Sequence, residues 1–106
     1  MTDAADEPAE ENKEQRWRAF RADSFARLLE NNPKQQLGLL NLYADAFAEY
    51  SQAMENIGRC GVVVGHPRTG APIDNPYIKI RDAAARSLKD PRFMRLKTDP
   101  LWEAKP

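Results

Sequence analysis

The chain has one cysteine, Cys60, and one histidine, His66. A single thiol excludes an internal disulfide framework, and one Cys with one His cannot build a Cys/His zinc site within one chain. No apolar run approaches the roughly 20 residues of a membrane span; the densest stretch is Val62-Val63-Val64. The acidic start, MTDAADEPAEEN, has neither the basic flank nor the apolar core of a secretory signal. There is no Walker A loop and no dinucleotide-binding glycine fingerprint. His66 sits in a Gly/Pro turn with no second group to orient it as a base, and Cys60 has no paired base. The expectation is a non-enzyme with no catalytic residues, no cofactor and no metal, located in the cytoplasm.

The 106 residues suit one domain. Sixteen basic and sixteen acidic side chains cancel overall but not locally. Residues 1–14 carry a net charge of −5 and residues 15–106 a net +5. Residues 1–11 have no large apolar side chain after Met1 and read as a disordered acidic arm. Residues 12–97 read as the core and residues 98–106 as a C-terminal tail.

Asn-Pro and Asp-Pro pairs punctuate the core: Asn32-Pro33, Asn75-Pro76, Asp90-Pro91 and Asp99-Pro100. An Asn or Asp side chain can accept from free helical amides, and proline at the first helical position gives up no needed N–H. The first helix is expected from Asn12 to about Glu30, burying Trp17, Phe20, Phe25, Leu28 and Leu29. Asn32 is expected to launch the second helix, with Gln35 completing a capping box. That helix carries Leu40, Tyr43, Phe47, Tyr50, Met54 and Ile57 at alternating spacings of three and four. The seam exceeds what the first helix can cover, so it predicts contact between subunits. Gly58 and Gly61 are expected to end it. Residues 62–73 predict a small β-hairpin, with Pro72 holding its strand to an edge. A third helix should start at Pro76, and short helical turns at Pro91 and Pro100. The fold class is mainly α: a helical hairpin with a long central helix, a short β-hairpin and a third helix.

Basic residues mark the candidate binding surface. The first helix offers Arg16, Arg18, Arg21 and Arg27 beside Trp17 and Phe20. The third helix and its continuation offer Lys79, Arg81, Arg86, Lys89, Arg92, Arg95 and Lys97 against Asp82 and Asp90. Such a stripe suits phosphate-backbone contact, which is salt-sensitive and weakly selective for sequence. A solvated charged face is the competing reading.

The segment LGLLNLYADAFAEYSQAMENIGRCG, then VVV, a turn and NPYIKIRDAAARSL resembles the small terminase subunit of tailed phages and phage-like gene transfer agents. The resemblance implies a ring-shaped homo-oligomer built on the long helix, working without catalysis in a host cytoplasm. It implies partners: double-stranded DNA, bound weakly, and the large terminase subunit, which holds the ATPase and nuclease. Many members place a DNA-recognition domain before this core. Here an acidic arm and one helix stand in that place, which implies little sequence preference. Leu101 and Trp102 are expected to dock the large subunit, the competing reading being that Trp102 folds back onto the third helix and fills a surface groove. Two alternatives stay open: a helical phage-type assembly protein without DNA contact, and a small DNA-binding regulator.

Overall fold

The computed structural model describes residues 9–103. Their order is α1 (Ala9–Asn31), α2 (Leu37–Cys60), β1 (Val63–Gly65), β2 (Pro72–Asp74), α3 (Tyr77–Leu88), a 3-10 turn (Pro91–Phe93) and α4 (Asp99–Glu103). The described chain is thus mainly helical, with four α-helices and one two-stranded antiparallel hairpin. Residues 1–8 of the expected acidic arm lie outside the described residues, as do residues 104–106 of the tail. Ala9–Glu11 belong to α1, which therefore begins before the expected Asn12.

α2 is the central element, with α1 packed on one side and α3 on another. The core gathers Leu28 from α1, Leu40, Tyr43, Ala44 and Phe47 from α2, and Phe93, Leu96 and Leu101 from the C-terminal segment. Phe20, Phe25 and Leu29 pack against it half-buried. Buried Ser24 also faces inward, its hydroxyl donating to the Phe20 carbonyl at 2.9 Å. That local bond lets a small polar residue sit in a helix interface without an orphaned group.

The turn after α1 departs from expectation. Pro33 disfavours a helical Asn32, and α1 stops at Asn31. The chain then needs Asn32–Gln36 to turn, so α2 starts at Leu37, too late for Asn32 to reach its amides. The cap position is Gln36, with no side-chain cap bond, and the expected Gln35 capping box does not form. Asn32 instead turns its buried amide to the far end of the chain. Its Nδ2 donates to the Lys97 carbonyl at 3.1 Å, and its Oδ1 accepts from the Lys97 N–H at 2.8 Å. Nδ2 also donates to the Leu28 carbonyl at 2.9 Å. This reciprocal pair clamps the C-terminal segment against the α1–α2 turn.

Asn75 matches its expected role and adds to it. Its Oδ1 accepts the Tyr77 N–H at 2.9 Å and so caps α3. Its Nδ2 donates to Asn56 Oδ1 at 2.9 Å and to the Gly61 carbonyl at 2.8 Å. One side chain, 2% exposed, thereby ties the end of α2 to the start of α3. α2 itself runs through Gly58 and stops at Gly61, whose φ of +90° suits a residue without Cβ. At Asp90-Pro91 the Asp90 carboxylate accepts the Arg92 N–H at 2.8 Å, as expected of a cap.

Candidate functional site

The basic residues divide into two groups once their partners are known. α1 and α2 lie side by side, and this sets the arginines of α1 against acids of α2. Arg16 pairs with Glu55, and Arg21 with Asp45. Arg21 also donates to Asn41 Oδ1 at 3.1 Å. Within α1, Arg18 pairs with Glu14 at 3.3 Å and Arg27 with Asp23 at 3.0 Å. Hydrogen bonding from Arg16 holds the Glu55 carboxyl below its ordinary pKa. A depressed carboxyl pKa means that this pairing supports the fold at neutral pH and fades as pH falls through the folded-state value. Arg16, Arg18 and Arg21 are thus already engaged with carboxylates.

From α3 onward the balance differs. Arg81 pairs with its neighbour Asp82 at 3.0 Å, and Arg92 with Asp90 at 2.8 Å. The side chains of Lys79, Arg86, Lys89, Arg95 and Lys97 make no ion pair among the described residues, and all five are exposed. Lys79 and Arg86 stand two helical turns apart, so they share one face of α3. Phosphate oxygens would meet these cations without displacing a protein carboxylate first.

The seam of α2 also divides. Leu40, Tyr43 and Phe47 are buried within the single chain. Their spacing alone leaves the seam to pack on the first helix, on a neighbouring subunit, or on both; the C-terminal segment covers them together with α1. Phe93 meets Tyr43 edge-on at 5.0 Å, and Trp102 meets Phe47 edge-on at 4.8 Å. Phe20 of α1 stacks on Phe47 at 5.6 Å. Further along α2, Tyr50 and Ile57 are half-buried and Met54 is exposed. This open half contributes Tyr50 and Met54 to a groove of about 940 Å³ between α1, α2 and α4, walled by Trp17 and Trp102.

Leu101 and Trp102, expected to dock a partner, fold back onto their own domain. Leu101 is 5% exposed and belongs to the core, because α4 lies against α1 and turns it inward. Buried there, it offers no surface for docking. Trp102 donates its indole N–H to the Tyr43 hydroxyl at 2.9 Å and lies edge-on to Tyr50 at 5.7 Å, yet remains 48% exposed. Trp102→Ala should therefore cost about 1.5–4.5 kcal/mol, the sum of one hydrogen bond and two aromatic contacts. Urea denaturation checks this, and an unchanged midpoint would show that the contacts contribute nothing.

No family model, curated protein or solved structure matches the chain. The site must accordingly be read from its own chemistry. His66 spends its Nδ1 as acceptor for the Arg68 N–H at 3.0 Å, a bond that closes the hairpin turn. Cys60 is an exposed thiol at the end of α2. Among the described residues there is no cluster of three metal-ligating side chains, and no helix is long and apolar enough to cross a membrane. The arrangement offers a cationic surface beside α3 and an aromatic groove at the other side of α2. Three features were not legible in the sequence: the pairing of the α1 arginines, the clamp at Asn32, and the cover of the C-terminal segment over Tyr43 and Phe47.

Proposed function

We propose that this protein is a non-catalytic DNA-packaging adaptor of the small terminase type. It assembles with copies of itself into a ring, holds double-stranded DNA weakly and with little sequence preference, and hands it to a large subunit carrying the ATPase and nuclease. The observation that supports DNA contact is the set of exposed cations Lys79, Arg86, Lys89, Arg95 and Lys97 with no acidic partner among the described residues. The open half of the α2 seam, around Met54, supports contact between subunits. The exposed edge of Trp102 supports contact with the large subunit.

The test is binding of random-sequence duplex followed across salt. Each phosphate contact adds roughly 0.9 to the slope of log affinity against log salt. Reversing Arg86, Lys89 and Arg95 to Glu should weaken binding at least tenfold, about 1.4 kcal/mol, and flatten the slope. Replacing Arg16, Arg18 and Arg21 by Gln should change binding much less, since their carboxylate partners already neutralise them. No binding at low salt would favour the assembly protein without DNA contact. A thousandfold preference for one short duplex would favour the regulator.

A further inference from the structure

The hairpin stands on a narrow base and has two edges of unequal character. The Asn75 N–H donates to the Val62 carbonyl at 2.8 Å, and the His66 N–H to the Ala71 carbonyl at 2.8 Å. Between them Val64 lies opposite Ile73. Val62, Val64 and His66 therefore turn their main-chain groups inward, towards the second strand. In an antiparallel ladder the alternate residues turn theirs away. Val63 and Gly65 accordingly present N–H and C=O groups on the outer edge of β1. On the outer edge of β2 stand Pro72, which has no N–H to offer, and the charged Asp74.

Proline and charge are the usual guards of a sheet edge, and β2 has both. β1 has neither. Val63, the first residue of the strand, and Val62 just before it leave apolar surface beside this edge, 55% and 57% exposed. A two-stranded hairpin is also marginal in water and is stabilised by a further strand or by packing on a helix; here Asn75 ties only its base to α2 and α3. An apolar, unguarded strand edge is a template for another strand.

We propose that the edge of β1 pairs antiparallel with β1 of a second copy, making one continuous sheet in the order β2-β1-β1-β2. The edge is self-complementary about a two-fold axis through Val64. In that register Val63 of one copy faces Gly65 of the other, and each such pair exchanges N–H···O=C bonds in both directions. Both residues have their groups turned outward, so no internal bond of either hairpin is broken. The guarded edge of β2 then stops growth at two copies, which distinguishes a closed contact from an open fibre. The contact does not depend on DNA packaging. It doubles whatever assembly the helices form, whether one chain or a ring.

The phase of the hydrogen bonds supplies the experiment. Val63→Pro removes an outward N–H and leaves every hairpin bond intact, and φ in a strand tolerates proline at an edge. Its mass by analytical ultracentrifugation should be half that of the wild type, with an unchanged circular dichroism spectrum. Amide exchange at Gly65 should be at least tenfold slower in the wild type than in Val63→Pro. Exchange at Val64 should be equal in the two. An unchanged mass in Val63→Pro overturns the pairing, whatever the helices do. Fast exchange at Val63 and Gly65 in the assembled wild type overturns it too. Protection appearing only when a different protein is added would assign the edge to that protein and overturn self-pairing. Loss of DNA binding in the charge-reversal variants with the mass intact would bear on the packaging reading alone.

Discussion

Phe47→Ala should lower stability by about 3–5 kcal/mol, the range for truncating a buried phenylalanine. The residue is 5% exposed and sits where three parts of the chain meet: Phe20 stacks on it, Tyr43 lies beside it at 6.4 Å, and Trp102 meets its face edge-on. Two of these neighbours belong to other helices, so the cavity left behind cannot collapse by a shift within α2. Against a total of about 5–15 kcal/mol for a typical domain, the loss is large. Each kcal/mol moves the melting temperature by about 4–8 °C in a domain of this size, so a drop of at least about 12 °C is expected. A fall under about 4 °C, the shift of a single kcal/mol, would place Phe47 outside the core. The location also changes what a charge at this position reports. Phe47→Asp would unfold the chain before it could disturb a neighbour. Met54, exposed on the same helix, is the position where a charge would test the proposed contact between subunits without unfolding the chain.

Asn75→Ala should cost about 2–4 kcal/mol, because it strands the Gly61 carbonyl and removes the cap of α3 together. Thermal denaturation gives the size, and Asn75→Asp gives the cause. The aspartate keeps an oxygen for the Tyr77 N–H and Asn56 can turn its own amide to donate to it, but the Gly61 carbonyl, which can only accept, now faces an acceptor. When protonated it can donate once. The folded state therefore favours the neutral acid, and the variant should lose stability as pH rises through the carboxyl pKa. A wild-type-like Asn75→Asp at neutral pH would show that the cap alone matters and the link to α2 does not.

The helices were legible because their boundaries are written locally. Asn75 and Asp90 each accept an amide two residues further along the chain, and the spacing from Leu40 to Ile57 marks one face of one helix. Asn32-Pro33 carries the same local signal but does different work, because the residue that claims its amide is 65 positions away. No periodicity reports such a partner. The same distance hid the cover on Tyr43 and Phe47: Phe93 and Trp102 looked like a terminal extension, and the seam beneath them looked open. The α1 arginines show a related gap. Arg21 and Asp45 meet through the register of two helices, and neither helix contains that register by itself.

The clamp at Asn32 also orders events in time. Contacts between α1 and α2, and between α2 and α3, join neighbours in sequence and close short loops. The bonds to Lys97 and from Trp102 to Tyr43 span 65 and 59 positions, so their loop-closure entropy is met only after the helices exist. Synthesis runs in the same direction, from α1 towards α4. During translation the aromatic face of α2 emerges well before the segment that covers it. For that interval Tyr43 and Phe47 lack their C-terminal cover, and the docking of Phe93 and Trp102 ends the exposure.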